Sequence, residues 1–223
     1  SGNLKFDIRP STQPALVNGL RAAIGTDSLV IVCGSTAEGE EESLLTAFKA
    51  IQGQFPKAVM VMAPRHPERF EKVAALISTE GFALQRRTLW QPPQPIRNGI
   101  FLLDSVGELA AVYELADIAF VGGSLVPTGG HNILEPAQYG SAILVGPHTF
   151  NFREIVNLFE QGGAVETVTG ENLASEFLSL LSHPDKRQRM GRLAKQLFAK
   201  HAGATHRTLD ALAPLLKRQE RGQ

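Results

Sequence analysis

The apolar positions of the chain fall into two alternating rhythms. Short continuous runs come first: "SLVIVCGS" (28–35), "AVMVMAP" (58–64), "IFLLD" (100–104), "IAFVGG" (118–123) and "AILVG" (142–146), with "FALQRR" (82–87) as a weaker sixth. Runs of this length, rich in branched aliphatic residues, predict strands buried on both faces. Between them the spacing widens to that of a helix. "EEESLLTAFKAI" (40–51) places Leu44, Leu45, Phe48 and Ile51 on one side. "PERFEKVAALIST" (67–79) carries acidic residues in its first turn, and "VGELAAVYELA" (106–116) repeats the pattern. Strands alternating with helices predict an α/β fold built on a parallel sheet.

The last part of the chain has only the helical rhythm. Leu173, Phe177, Leu180 and Leu181 share a stripe within 171–183, and Met190, Leu193 and Leu197 share one within 186–201. A final helix is predicted at about 204–217, with Leu209, Leu212, Leu215 and Leu216 on its apolar side. The basic residues of 186–201 read as a solvated face. The segment 88–99 contains three prolines and reads as a surface loop.

In an open parallel sheet, ligands lie beyond the carboxyl ends of the strands, where the strand order reverses. Five polar loops sit at such ends: "GSTAEGEEE" (34–42), "PRHPERF" (64–70), "DSVGEL" (104–109), "GGSLVPTGGHN" (122–132) and "GPHTFNF" (146–152). Each has a plain structural reading. Gly34 turns the chain, Glu108 complements a helix dipole, and Asn132 with Glu135 forms a capping box. Taken together they predict a shared polar pocket. Within it, glycines at 122–132 offer backbone N–H groups to an anion, Glu135 offers a carboxylate to a sugar diol, and Arg65 offers a cation.

Composition narrows the ligand. Lys plus Arg and Asp plus Glu number 22 each, which argues against a general nucleic-acid binder or a membrane-surface protein. The single cysteine, Cys33, lies in an apolar run and reads as a core residue, excluding a disulfide or thiolate zinc cluster. No stretch reaches the roughly 20 apolar residues of a membrane span, and no signal peptide opens the chain, so a soluble domain of a reducing compartment is expected. There is no G-x-x-x-x-G-K-[ST] and no G-x-G-x-x-G. His131 and His148 lack the spacing of a helical metal pair, and neither a metal nor a cofactor is expected. A nucleotide carrying one or two phosphates fits what remains.

The motifs "STAEGEEE", "PRHPERF", "GEL…Y…ADIAFVGGSLV", "GGHNILEP" and "GPHTFNF", in this order, resemble the carboxyl-terminal half of the 3-deoxy-D-manno-octulosonic acid (Kdo) transferases of lipopolysaccharide assembly. The resemblance covers almost the whole chain. It implies the Rossmann-like C-terminal half of a two-domain GT-B glycosyltransferase, with extra C-terminal helices and CMP-Kdo as donor. It also implies Kdo transfer to lipid A precursor at the cytoplasmic face of the bacterial inner membrane. On it, 1–10, which includes "GNLKFD", is the remnant of an interdomain linker, 11–200 the donor domain and 201–223 a C-terminal helix. Gly122, Gly123, Ser124, Gly129, Gly130, His131 and Asn132 match the donor-phosphate loop. Glu135 matches the ribose carboxylate, Arg65 and His66 the arginine-bearing loop, and Gly107 and Glu108 the loop near the base. Many members carry His where this chain has Ala37. The amino-terminal half, with the acceptor site, the membrane contact and the acidic base, is absent. The fragment is therefore expected to bind CMP, to contain no catalytic residue and to be inactive alone. The competing expectations are a GT-B transferase or epimerase using a UDP-sugar, and a nucleotide-binding module without chemistry.

Overall fold

The computed structural model describes residues 13–202. Strands β1 (Val30–Thr36), β2 (Val59–Pro64), β3 (Ala83–Arg86), β4 (Gly99–Leu102), β5 (Ile118–Val121), β6 (Ala142–Val145) and β7 (Val165–Thr167) form one sheet. Its order is β3-β4-β2-β1-β5-β6-β7, and every pair is parallel. From β1 the chain passes through β2 to the edge strand β3, returns to insert β4 between β2 and β3, then crosses to place β5 on the other flank of β1. The strand order therefore reverses between β1 and β5, and a crevice opens at their carboxyl ends.

The helices are α1 (Pro14–Ile24), α2 (Glu41–Gln54), α3 (Phe70–Thr79), α4 (Leu109–Val112), α5 (Leu134–Tyr139), α6 (Arg153–Gln161), α7 (Leu173–Ser182) and α8 (Pro184–His201). All residues of β2, β4, β5 and β6 are buried, as continuous apolar runs require when both faces are covered. Alternation sorts the side chains. Ile31, Cys33, Met60 and Met62 meet Leu44, Leu45 and Phe48 of α2 and Phe177 of α7 on one face. Val30, Val32, Val59 and Val61 meet Leu16 and Leu20 of α1, Trp90 and Tyr113 on the other. A third cluster joins Val121, Ile143 and Val145 to Ile133, Leu134, Ile155 and Phe159. Among the described residues no helix is long and apolar enough to cross a membrane.

Several expectations change in detail. The six expected strands become seven, because the three-residue β7 has a single fully buried position and no apolar run to announce it. Helices α1 and α6 were not foreseen. Gly19 interrupts the first, whereas the second is short but clearly two-faced, with Ile155, Val156 and Phe159 on its buried side. The helix expected at 106–116 shortens to α4 followed by a 3-10 turn, Tyr113–Leu115. The Pro-rich segment is not purely a surface loop. Trp90 and Ile96 are buried, and Trp90 meets Phe101 edge-on at a centroid distance of 5.7 Å. The linker at 1–10 and the helix at about 204–217 lie outside the described residues.

Helices α5 and α8 approach so closely that a Cβ at Gly191 would lie 1.9 Å from the Gly140 carbonyl oxygen. Ala in a helix interior gains about 1 kcal/mol over Gly. Here the obstacle is backbone that cannot rotate away, so overpacking should win, with Gly191→Ala a net loss of about 1–3 kcal/mol. Urea unfolding checks this. Unchanged or raised stability would show that the two helices separate freely.

Candidate functional site

The crevice is shaped by the two strand ends that border it. Near its end β1 places Ser35 at φ 54, a left-handed conformation uncommon outside glycine, and its register with β2 slips between Gly34 and Thr36. The N–H of Gly122 donates to the Gly34 carbonyl at 2.8 Å and holds the end of β5 against β1. Only glycine fits at 122, since a Cβ there would stand 2.5 Å from the Ser35 carbonyl oxygen. Gly34 is likewise required, because the Tyr113 hydroxyl occupies the place of its missing side chain.

Glu40, fully buried, lies beneath the loop that follows β5. One carboxylate oxygen accepts the N–H groups of Ala37 and Gly123, both at 2.8 Å. The other accepts those of Ser124 at 2.9 Å and Leu125 at 2.8 Å. From this root the loop folds on itself. The Gly123 carbonyl accepts from the Gly130 N–H at 2.7 Å and from the Thr128 hydroxyl at 2.8 Å. The Ser124 hydroxyl donates to the Val121 carbonyl and accepts from the Gly146 N–H at 2.7 Å. The N–H of Asn151 donates to the Gly129 carbonyl at 2.9 Å.

The result is an open cleft of about 500 Å3 lined by Ser35, Arg65, Tyr113, Val121, Gly130, His131, Asn132, Glu135, Asn151 and Phe152. Arg65 follows β2, and its backbone N–H donates to the Thr36 carbonyl at 3.0 Å. Its guanidinium is exposed and forms no ion pair among the described residues, unlike Arg69, Arg86 and Arg87. Burial raises the Glu135 carboxyl above its ordinary range, against the pull of the Asn132 amide and Arg65. Burial, with the positive charges of Arg65 and His66, lowers the His131 imidazole below its usual 6.5, so the ring is neutral at pH 7.

Of the sequence-predicted residues, Arg65, Gly130, His131, Asn132 and Glu135 come together in the cleft. The others are placed elsewhere or committed to internal bonds. The N–H groups of Gly122, Gly123, Ser124 and Gly130 are taken by Gly34, Glu40 and Gly123, so these four are not free donors to an anion. The N–H groups of His131 and Asn132 have no acceptor among the described residues. Gly129, at φ 102, has Asn151 and Phe150 packed where its side chain would be. Exposed His66 is 3.9 Å from Glu68 and does not line the cleft. Nor do Gly107 and Glu108. Both Glu108 oxygens are held by Arg87, at 2.8 and 2.9 Å, with a further bond from the Ser105 hydroxyl.

The capping box at Asn132 is incomplete. Asn132 Oδ1 accepts from the Leu134 N–H at 3.1 Å, an Asx turn, but Glu135 does not return to the Asn132 backbone. The one hydrogen bond to the Glu135 carboxylate among the described residues is from the Asn132 amide at 3.5 Å. Because α5 spans only six residues, its dipole adds little. Ser35, Tyr113, Asn151 and Phe152 were missed by sequence reasoning. "GSTAEGEEE" and "GPHTFNF" mark the loops of Ser35, Asn151 and Phe152, and Tyr113 stands in "GEL…Y…ADIAFVGGSLV", but no local pattern picks these side chains out as walls of the cleft.

A family model described as glycosyl transferases group 1 matches residues 29–197. The 3-deoxy-D-manno-octulosonic acid transferase of Haemophilus influenzae is 37% identical over 221 residues, 98% of this chain and 52% of its own length. That of Bordetella pertussis is 36% identical over 217 residues, 95% of this chain and 50% of its own. The chain thus spans about half the length of the curated relatives it matches. The C-terminal CMP-Kdo binding domain of WaaA from Acinetobacter baumannii is 32% identical, with a TM-score of 0.76 over 82% of this chain and 95% of that one. A UDP-GlcNAc 2-epimerase from Neisseria meningitidis, 16% identical with a TM-score of 0.54 over 84% of this chain and 47% of its own, shares the fold alone. The architecture is that of one half of a GT-B-like glycosyltransferase, and the chain belongs to the glycosyl transferases group 1 family.

Proposed function

We propose that this chain is the donor-binding half of a Kdo transferase and that CMP-Kdo occupies the cleft between β1 and β5. The observation that carries this reading is the pairing of unsatisfied groups there. Nearby acids are saturated: Glu40 by four N–H groups, Glu41 by Arg69 and Thr36, Asp104 by Arg86 and Thr88, and Glu108 by Arg87 and Ser105. Glu135 is not, and a half-buried carboxylate without strong donors is costly unless a ligand supplies them. Ribose hydroxyls are such donors. Arg65 and the N–H groups of His131 and Asn132 are positioned for the phosphate. The 32% identity to a CMP-Kdo binding domain supports this assignment.

In the transfer, the bond from the Kdo anomeric carbon to the phosphate oxygen breaks as the acceptor hydroxyl oxygen bonds to that carbon. Negative charge grows on the departing CMP. Donors at Arg65, His131 and Asn132 then bind the transition state more strongly than the ground state, which is the kind of binding that accelerates a reaction. The proton of the acceptor hydroxyl goes to a base outside this chain. Glu38 is exposed and bonded to Lys72, and Glu108 is locked by Arg87, so neither is free to serve. Lipid A precursor as acceptor, held by the other half at the cytoplasmic face of the inner membrane, completes the reading.

Three outcomes test it. First, the raised Glu135 carboxyl favours the neutral form in the folded state. Its contribution to stability is complete below the ordinary value of 4.5 and is lost as pH rises through the higher folded value. Glu135→Gln should therefore be more stable than the parent at pH 7, and the advantage should vanish toward pH 4, in urea titrations across that range. The same variant should bind CMP more weakly by about 1–3 kcal/mol, because bonds to a charged acceptor are lost. Lower stability at pH 7 with unaltered CMP affinity would return Glu135 to a capping role.

Second, Arg65→Ala should weaken CMP binding, and Arg65→Lys should recover only part of it, since a planar fork is replaced by a point charge. Full recovery in calorimetry would reduce Arg65 to general electrostatics. Third, the 223-residue chain should be stabilised by CMP more than by UDP in thermal unfolding and should transfer no Kdo to lipid A precursor by mass spectrometry. Covalent joining to an acceptor half should restore transfer through high effective concentration. Preference for UDP would favour a UDP-sugar enzyme, and robust transfer by this chain alone would place the base within it.

A further inference from the structure

Among the described residues, Glu40 is a charged side chain fully withdrawn from solvent, and its four hydrogen bonds all come from backbone. Ala37 belongs to the turn after β1, whereas Gly123, Ser124 and Leu125 belong to the loop after β5. The carboxylate therefore joins the two strand ends that border the cleft. Its influence continues through the Gly123 carbonyl, which accepts from the Gly130 N–H and the Thr128 hydroxyl. Gly130 in turn precedes His131 and Asn132, whose N–H groups face no internal acceptor among the described residues.

We propose that Glu40 is a positioning residue for the nucleotide, an internal anion that shapes the 122–125 turn and thereby holds His131 and Asn132 where a phosphate can reach them. The inference rests on the reading of the cleft as the donor site. It differs from a purely stabilising role because the order it imposes ends at ligand-facing groups. A carboxylate is the side chain that suits the position. Each of its oxygens accepts two N–H groups, whereas a glutamine of the same shape would present its own NH2 to two of those donors.

The test is calorimetric CMP binding together with amide hydrogen exchange on the 223-residue chain and on Glu40→Gln. Two buried donors are left facing another donor, so the variant should bind CMP about tenfold more weakly or worse. Exchange should quicken at 123–125 and also at Gly130, whose N–H is bonded to the Gly123 carbonyl. Asp117→Ala is the control. The Asp117 carboxylate also accepts a backbone N–H, that of Val30 at 2.9 Å, but at the opposite end of the sheet. Its removal leaves that N–H without its acceptor and should lower stability while leaving CMP affinity unchanged. Should Glu40→Gln fail to fold, Glu40→Ala in acetate supplies the second measurement. There the added anion should re-enter the four-donor nest and restore both folding and CMP binding, while acetamide should not.

Unchanged CMP affinity in folded Glu40→Gln would overturn the proposal. So would a loss of affinity no greater than that of an equally destabilised Asp117→Ala. If the parent chain bound no CMP, the reading of the cleft would fall. Exchange at Gly130 would still decide whether the order imposed by Glu40 reaches that segment.

Discussion

A carboxylate sealed from water between two strand ends is the constraint around which this site is built. Removing a charge from solvent costs several kcal/mol unless the surroundings replace its hydration. For Glu40 the replacement is four backbone N–H groups, two on each oxygen. Those donors converge only if the turn after β1 and the loop after β5 press together, which explains why no side chain is tolerated at 122. The contact is so close that a Cβ there would be 2.8 Å from Glu40 itself. The glycine and the acid are two halves of one requirement. The nest of N–H groups that a glycine-rich loop suggests does exist, but the protein fills it with its own anion.

That self-occupation separates scaffold from site. Around the crevice the ionic groups divide into those held by strong partners and those without them. Arg69 grips both oxygens of buried Glu41, and Arg86 links Asp104 to Glu71. Burial alone would raise the Asp104 carboxyl. The Thr88 hydroxyl and N–H and the Arg86 guanidinium overcome it and leave the carboxyl below its usual range. Glu135 shows the reverse balance, burial prevailing over weak partners. Native chains satisfy their polar groups where they need only to fold and leave them unsatisfied where they need to bind. Arg65 and Glu135 are the exceptions among the ionic side chains that line this cleft.

How much of this was legible in the chain depended on the range of the interaction. Continuous apolar runs specified six of the strands, and glycines at strand ends marked the loops of the crevice, since both signals are local. The run Glu38-Gly39-Glu40-Glu41-Glu42 shows the limit. As a string its acids are equivalent. In the fold, Glu38 and Glu42 are exposed, Glu41 is gripped by Arg69 and Glu40 is sealed beneath a loop more than eighty residues away. The helix beginning at Glu41 turns each successive side chain by about 100°, so neighbours in sequence face different partners. Tyr113 was read as part of a helix and proved to be a wall of the cleft, because its hydroxyl crosses to fill the space above Gly34. Such placements follow from sheet order, which no local pattern encodes.

The charge left over sets the kind of ligand the cleft suits. The Glu40 carboxylate is solvated by four N–H dipoles and has no cation as its partner. His131 is held neutral by burial and by the positive charges near it. Among the described residues that line the cleft, Arg65 alone remains as a full positive charge, opposite the single acid Glu135. An anion with one charge, such as a phosphodiester, matches one guanidinium and two backbone N–H groups. On the reading proposed for the cleft, a pyrophosphate would bring further negative charge to walls on which the described residues offer one guanidinium and the acid Glu135. A preference for one phosphate over two is what the pairing of the other charges around the crevice would then produce.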